Sequence, residues 1–379
     1  MLREVYITET NCITPIGFDV AANIKNIENK VSGIQLHNNT DLMNTPFYAS
    51  IIKDEDLDLA FEKVAPKGNY SRLEKMMILA LDPIVNKAKL ALDSKIGFIL
   101  STTKGNVSDL KKNTENIPEQ VYLHQLANTI ADFFGFKTEP IVVSNACVSG
   151  ILAVSVAKRL IQAEVYDAVF VVAGDEVSDF VVSGFNSFQA MSDLPCKPYS
   201  INRTGVTLGE AAAAVLVSKD KKNAKIIIIG DGSINDANHI SGPSRTGEGL
   251  YRSIESALAE AKINSNQIDY ISAHGTATPF NDEMEAIAFN RLGLEKVPVN
   301  SLKGFYGHTL GASGLLETVI GIQSVQESKL FVSLGFDQIG VSQEINVIQE
   351  TEGKDITCFL KTASGFGGCN TAVLFEKVK

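Results

Sequence analysis

Residues 141–162, with the sequence IVVSNACVSGILAVSVAKRLIQ, contain the local pattern that indicates the fold class. Residues 141–143 have the character of a buried strand, and residues 150–162 place apolar side chains at helical spacing. A short loop of small residues joins the two and holds Cys147. A buried strand followed directly by a helix is typical of layered α/β proteins. We therefore expect Cys147 to lie between the carboxyl end of a strand and the amino end of a helix.

The same alternation of strand and helix extends along the chain on both sides of this segment. Short apolar runs predict strands at residues 5–8, 96–100, 141–143, 168–173, 211–217, 226–230, 270–273, 297–300, 331–334 and 371–375. Helical spacing occurs between many of them, at residues 72–92, 123–134, 150–162, 249–261, 282–292 and 311–327. The pattern predicts a mostly parallel, layered α/β protein.

The strands form two series of similar order, which indicates two related halves. We place the N-terminal half, which carries Cys147, at residues 1–222, and the C-terminal half at residues 223–379. Residues 219–223 form only a short charged turn, and no linker rich in Pro, Gly or Ser separates the halves. The halves are therefore expected to pack against each other as one unit.

Composition and charge exclude several classes of protein. The formal net charge is -10 and basic residues form no long run, which argues against a nucleic-acid partner. No stretch approaches the roughly 18 consecutive apolar residues of a membrane span, and the N-terminus lacks the pattern of a signal peptide. Five scattered cysteines fit a reducing compartment better than a disulfide framework. We therefore expect a cytoplasmic protein without a membrane partner.

Cys147 is the first candidate for a functional residue. A helix that begins just after it would point its amino end at the sulfur, which favours a thiol pKa below the free value of about 8.5. The small residues Ala146, Ser149 and Gly150 are expected to leave room for a ligand to reach the thiol. The alternative is an inert cysteine that only packs in the core.

His274 lies in DYISAHGTATPFNDE, directly after another predicted strand. Thr278 is expected to cap the next helix, with Pro279 at its first position. His274 should therefore project from the carboxyl end of a strand, where α/β folds place catalytic groups. The alternative is a histidine that is hydrogen-bonded within its own loop.

A third segment, VNSLKGFYGHTLGASGLLE, contains Lys303, His308 and Glu317. A lysine at the end of a strand in this apolar context needs a counter-charge, because an unpaired buried charge is costly. Glu317, on the following helix, is the candidate. The alternative is an ion pair exposed to solvent, which contributes little to stability.

The glycine-rich segment GFGGCN, residues 365–370, precedes the last predicted strand. It lacks the context of a dinucleotide site or a P-loop, so its backbone N–H groups are better suited to an oxyanion hole, or it is only a turn. No metal site is expected, since the histidines at 37, 124, 239, 274 and 308 lack ligand spacing. No GxSxG motif supports a serine hydrolase.

Together, SNACVSG, AHGTATPFND, SLKGFYGHTLGASGLLE and GFGGCN resemble the β-ketoacyl-acyl carrier protein synthases, which are decarboxylating Cys-His-His condensing enzymes of the thiolase superfamily. PYSINRTGVTLGEAAAAVLV adds the Arg-x-Gly-x-x-x-Gly-Glu segment of that family. The motifs follow the family order along the whole chain. The resemblance implies a five-layered αβαβα fold built from two related halves, and a dimer that is either a homodimer or a heterodimer with a related subunit.

The resemblance also implies roles for individual residues. Cys147 matches the acyl-accepting nucleophile, and its backbone N–H together with that of Phe366 matches the oxyanion hole. The other matches are the two catalytic histidines His274 and His308, the lysine Lys303, the glutamate Glu317, the pantetheine-contacting Thr276 and Thr278, and the gating Phe366. The family needs no cofactor of its own, because its substrates are carried on the phosphopantetheine of acyl carrier protein, the expected partner.

The expected reaction is a decarboxylative Claisen condensation of a Cys147-bound acyl group with malonyl-acyl carrier protein. Ser364 and Cys369 depart from the family, which commonly has Phe and Thr at these positions, so the acyl chain and the pathway stay open between fatty-acid and polyene or polyketide assembly. A degradative thiolase would place a second cysteine just before its glycine cluster, whereas Cys369 follows it. A non-catalytic partner subunit of a ketosynthase heterodimer would lack the nucleophile.

Overall fold

A sheet of eleven strands runs through the centre of the protein in the computed structural model, which describes residues 3–66, 68–110, 117–237, 240 and 242–378. Within the described residues, two smaller sheets accompany it. In chain order, the strands of the three sheets are β1 (Tyr6–Ile13), β2 (Ile34–His37), β3 (Phe47–Ser50), β4 (Ile96–Ser101), β5 (Ile141–Val143), β6 (Ala168–Asp175), β7 (Leu208–Gly209), β8 (Ala211–Ser218), β9 (Ile226–Asn235), β10 (Tyr270–Ser272), β11 (Pro298–Asn300), β12 (Lys329–Leu330), β13 (Asn346–Val347), β14 (Glu352–Gly353), β15 (Cys358–Gly365) and β16 (Cys369–Lys377). The two smaller sheets are β2-β3-β7 and β12-β14.

The helices lie between and outside the strands of this sheet. They are α1 (Val20–Glu28), α2 (Asp54–Phe61), α3 (Arg72–Ala88), α4 (Leu123–Phe134), α5 (Ser149–Gln162), α6 (Asp179–Ser187), α7 (Glu248–Ala261), α8 (Pro279–Arg291), α9 (Lys303–Tyr306) and α10 (Ser313–Glu327). None of the described helices combines the length and the apolar character needed to cross a membrane.

The two halves of the sheet have the same topology. The order is β1-β8-β6-β4-β5 in the first half and β9-β16-β15-β10-β11 in the second, with β13 added at the outer edge. In each half the first three strands pair antiparallel and the last three pair parallel. The halves meet where β1 pairs with β9. The prediction of two related halves is confirmed by this repeated order.

Apolar side chains divide the protein into layers. Helices α5 and α10 share one buried cluster with residues from both halves of the sheet, so they form a middle layer. Helix α3 packs on the outer face of the first half, and α7 and α8 pack on the outer face of the second. The result is the αβαβα arrangement, and it places the amino ends of α5 and α10 side by side at the centre.

Two predictions about the strands are wrong. The sheet is not mostly parallel, because β8, β1, β9 and β16 pair antiparallel with every neighbour. A continuous apolar run marks a strand that is buried on both faces, which is typical of parallel sheets. Here the antiparallel strands are also covered by helices on both faces, so they have the same apolar pattern. Residues 331–334 are not a strand either: the carbonyl of Phe331 accepts from the Asn300 side chain, and Ser333 N–H donates to the Ile348 carbonyl, so no ladder forms.

Candidate active site

Cys147 lies in the loop between β5 and α5, as the sequence predicts, and it is almost fully buried. The loop is tight: Ala146 has a φ of 44°, and the Ser149 hydroxyl donates to the Ala146 carbonyl and accepts from Asn145 N–H. Gly150 does not leave room for a ligand, contrary to expectation. A Cβ atom there would lie 2.6 Å from the Gly311 carbonyl oxygen, so Gly150 instead lets α5 approach the segment that follows His308.

His308, from the other half of the chain, lies against Cys147. It follows Gly307, which has a φ of 66°, and its backbone exchanges hydrogen bonds with residues 207 and 209. The Nε2 atom of His308 lies 3.2 Å from Cys147 Sγ, and its Nδ1 atom lies 3.1 Å from Ser313 Oγ. Ser313 was not singled out from the sequence. A hydroxyl can donate or accept, so Ser313 can support either tautomer of the imidazole.

His274 follows β10 and is held by carboxylates of α8. Glu285 accepts from the backbone N–H groups of His274 and Gly275, and Asp282 accepts from Thr276 N–H. The sequence indicates no such role for either carboxylate, although both lie on the first two turns of the helix that Thr278 was expected to cap. Thr278 does cap α8, since its hydroxyl accepts from Asn281 N–H.

Three of the four side chains predicted to be catalytic converge on one point, and the fourth, Lys303, lies beside His274. The ligand-type atoms of Cys147, His274 and His308 lie within 4.8 Å of one another, and the two imidazole rings are 5.2 Å apart and nearly perpendicular. Three such atoms are close enough to hold a metal ion, so this geometry does not test the expectation that the protein uses none. His239 lies outside the described residues.

Lys303 and Glu317 form a buried ion pair, not a solvated one. Lys303 Nζ lies 2.7 Å from Glu317 Oε1, and the two side chains are 1% and 3% exposed. The same ammonium group donates to the His274 carbonyl at 2.6 Å. A second lysine that sequence analysis missed, Lys361 on β15, lies 2.7 Å from Glu317 Oε2.

Burial sets the protonation of the central groups. Burial, and after it the nearby Cys369, raises the pKa of the Cys147 thiol to about 12. The predicted lowering of this pKa by the helix is therefore wrong for the resting site. Burial, and after it the charge of Lys303, places the pKa values of His274 and His308 well below the usual range. A neutral thiol thus faces two neutral imidazoles.

A cavity of about 390 Å³ opens from these groups to the surface. Thr276 and Thr278 line it, with their hydroxyls 2.9 Å apart. Phe366 also lines it, is 37% exposed and stacks on Phe185 with ring centres 5.6 Å apart. The turn that carries Phe366 lies against Cys147, because a Cβ atom at Gly365 would be 3.0 Å from Cys147 N.

The Arg-x-Gly-x-x-x-Gly-Glu segment supports this centre. Gly209 N–H donates to the His308 carbonyl, and a Cβ atom at Gly209 would lie 1.9 Å from the backbone carbonyl oxygen of Tyr306. Glu210 is fully buried, pairs with Arg72 and accepts from Ile52 and Val177 N–H groups. The segment therefore fixes the backbone beside His308.

Comparison with known proteins agrees with this geometry. Two family descriptions match the chain: "Beta-ketoacyl synthase, N-terminal domain" over residues 2–223 and "Beta-ketoacyl synthase, C-terminal domain" over residues 226–337. The chain belongs to the β-ketoacyl synthase family. Members of this family are condensing enzymes of the acyltransferase type, and so is this β-ketoacyl synthase.

Its relatives are similar over their full length. It is 26% identical to a putative mitochondrial 3-oxoacyl-acyl carrier protein synthase of Schizosaccharomyces pombe, covering 99% of both chains. It is also 26% identical to the Staphylococcus aureus 3-oxoacyl-acyl carrier protein synthase 2, covering 99% of this chain and 98% of the relative.

Solved structures share the fold. A β-ketoacyl synthase from Burkholderia phymatum aligns over 100% of both chains with a TM-score of 0.87 and 22% identity. The ketosynthase ApeO of Xenorhabdus doucetiae, solved with its chain length factor ApeC, aligns over 99% of this chain and 98% of its own with a TM-score of 0.85 and 24% identity. The expected thiolase-like fold class is confirmed, and the division at residue 222 stays a prediction.

Proposed function

We propose that this β-ketoacyl synthase is a 3-oxoacyl-acyl carrier protein synthase, which condenses a Cys147-bound acyl group with malonyl-acyl carrier protein. The observation that carries the proposal is the 3.2 Å contact between Cys147 Sγ and His308 Nε2, with His274 beside it. Both substrates arrive on the phosphopantetheine of the carrier, so the enzyme needs no cofactor of its own. The site brings together Cys147, His274, His308 and Lys303. This set favours a condensing enzyme over a non-catalytic partner subunit or a degradative thiolase.

Acylation is the first half of the reaction. The Cys147 thiol transfers its proton to His308 Nε2 as the sulfur attacks the carbonyl carbon of the acyl-carrier thioester. The backbone N–H groups of Cys147 and Phe366 hold the oxyanion, and one such donor contributes about 3 kcal/mol. The carrier thiolate then leaves and takes the proton back from His308, which restores the neutral imidazole.

Condensation is the second half. The bond between the carboxylate carbon and the methylene carbon of the malonyl group breaks, CO₂ leaves, and the electron pair forms a thioester enolate. The neutral imidazoles of His274 and His308 donate N–H hydrogen bonds to the enolate oxygen, and the charge of Lys303 favours this anion. The enolate carbon attacks the acyl-Cys147 carbonyl, the thiolate leaves, and it takes up one proton from water.

The cavity is proposed to admit the pantetheine arm. The hydroxyls of Thr276 and Thr278 are placed to bind its amides, and Phe366 is proposed to gate the way to the thiol. Ser364, in place of a bulky side chain, also lines the cavity and leaves the length of the acyl chain open. Both fatty-acid synthesis and specialised polyene or polyketide assembly fit this site.

Acyl carrier protein is the proposed partner, and the proposed assembly is a homodimer or a heterodimer with a related subunit. ApeO was solved with a chain length factor, and another structural relative was solved as a type II polyketide ketosynthase with its acyl-carrier protein. We propose a cytoplasmic location. All five cysteines lie in the described part of the chain and all are free, which suits a reducing compartment.

Intact-mass analysis of the purified protein with a panel of acyl-carrier thioesters tests the function. We expect one acyl adduct, released as a 3-oxoacyl product when malonyl carrier is added, and no adduct on the Cys147→Ala variant. Cys358→Ala, which removes another buried thiol, is the matched control and should acylate normally. Acylation that persists in Cys147→Ala would refute the assignment.

A further inference from the structure

Lys361 is a buried lysine to which the proposed mechanism gives no role. It lies on β15 beside β10, and its side chain has no exposed surface. Its ammonium group lies 2.7 Å from Glu317 Oε2 and donates to the carbonyls of Ser272, Ala273 and Thr362 at 3.0, 3.3 and 2.7 Å. Every donor of this group is therefore satisfied within the protein.

Glu317 is shared by two lysines. Its carboxylate lies between two ammonium groups, Lys303 on Oε1 and Lys361 on Oε2, both at 2.7 Å. Neither ammonium group therefore has the Glu317 charge to itself, and the next carboxylate that acts on Lys361 is the buried Glu285. Burying an ammonium group costs desolvation energy, and replacing a whole buried ion cluster by apolar side chains is often neutral or stabilising. A buried cluster of two lysines and one carboxylate is therefore weak evidence for a purely structural role.

Both lysines hold the backbone that presents His274. Lys361 binds the carbonyls of Ser272 and Ala273, and Lys303 binds the next carbonyl in the chain, that of His274. Three successive carbonyls thus accept from the two ammonium groups that share Glu317. Lys303 Nζ also lies 3.5 Å from the Nδ1 atom of His274. Any change in this cluster therefore reaches the imidazole through its own backbone.

We propose that Lys361 is a positioning residue for the decarboxylation step. It shares the Glu317 carboxylate with Lys303, so that Lys303 keeps a net positive charge beside His274. It also holds the backbone carbonyls of Ser272 and Ala273, which fix the position of the His274 imidazole. The positive charge of Lys303 and the N–H donor of His274 are needed when the malonyl C–C bond breaks and the enolate oxygen becomes negative. Acylation of Cys147, which depends on His308, does not need them. This inference rests on the proposed function.

The test compares the two half-reactions in Lys361→Met and Lys361→Gln. We expect acylation of Cys147 to stay within about threefold of the parent protein, while kcat for decarboxylation of malonyl carrier falls by about tenfold or more with KM almost unchanged. The unchanged KM is expected because Lys361 does not touch the substrate. Lys361→Gln keeps a donor for Glu317 but lacks the charge, so it provides a second variant if Lys361→Met does not fold.

Lys158→Met is the matched control. Lys158 is equally buried and lies 2.8 Å from Asp231 and 2.6 Å from Glu260, within a separate ion cluster. The Lys158→Met substitution should lower the melting temperature, but it should not change the rate of acylation relative to the rate of decarboxylation. Equal loss of acylation and decarboxylation in the Lys361 variants would overturn the inference, as would failure of both variants to fold while Lys158→Met folds. If the parent protein itself forms no adduct at Cys147, the proposed function fails before any variant is compared.

Discussion

The Nε2 atom of His308 lies 3.2 Å from the Sγ atom of Cys147, and both side chains are almost fully buried. Burial disfavours the thiolate and the imidazolium alike, so the resting pair is neutral. The proton must therefore leave the thiol as the sulfur attacks, and His308 is the base within hydrogen-bonding distance. In the proposed mechanism, this relationship makes His308 part of acylation as well as of condensation.

Replacement of His308 by Ala should slow acylation of Cys147 by about 100-fold or more, because general-base catalysis by a positioned side chain contributes at least that factor. The rate is measured by rapid-quench intact-mass analysis with an acyl-carrier thioester. His124→Ala, which removes an exposed histidine, should acylate at the parent rate. An acylation rate that is unchanged in His308→Ala would show that the thiol reacts without this base.

Alkylation of Cys147 by iodoacetamide should depend steeply on pH. With a thiol pKa of about 12, the thiolate fraction is small at pH 7 and grows with each step in pH. We expect the rate to rise about tenfold per pH unit from pH 7 to 9 without levelling off, since only the thiolate is nucleophilic. Glutathione, measured in parallel, should level off near its own thiol pKa. A rate at Cys147 that is already constant above pH 7 would instead indicate a preformed thiolate, as the helix N-terminus alone predicts.

Much of the fold could be predicted because its strands are apolar and its helices are periodic. The strand Ile141–Val143 and the helix Leu123–Phe134 begin and end where the sequence indicates. Strand β15 was missed because Lys361 interrupts its apolar pattern, and a lysine normally indicates a solvent-facing position. Its partner Glu317 lies on a different element, so local sequence cannot show that the charge is buried. The one available signal is that Lys361 is the only charged residue in the segment 356–375.

The residues that form the site could be predicted from the sequence better than their pKa values. Each predicted catalytic side chain reaches the centre, because the strand ends and helix starts that carry them are local features. The pKa of Cys147 was predicted in the wrong direction, since the helix is visible in the sequence whereas burial depends on the packing of both halves. Ser313 was missed for the same reason: only the folded turn brings its hydroxyl to His308.

Gly150 offers a test of how closely the two halves must approach. In Gly150→Ala the new methyl group would lie 2.6 Å from the Gly311 oxygen and 3.0 Å from Leu315 N, which is backbone that cannot move aside cheaply. We expect urea unfolding to show a loss of about 1–3 kcal/mol at an unchanged m-value. Acylation should fall as well, because Gly311 lies between His308 and Ser313 in the chain, and its N–H is already held by Asp175 at 2.7 Å.

The matched control is Gly184→Ala, in helix α6. Apart from its chain neighbours and the backbone of its own helix, no heavy atom lies within 4 Å of the Cβ position there, so the methyl group meets no obstacle. Alanine is the better helix former, and we expect this variant to keep or gain stability by up to about 1 kcal/mol while acylation is unchanged. If Gly150→Ala is tolerated as well as Gly184→Ala, the contact between α5 and the His308 segment is looser than described, and the 3.2 Å distance between Cys147 and His308 does not depend on it.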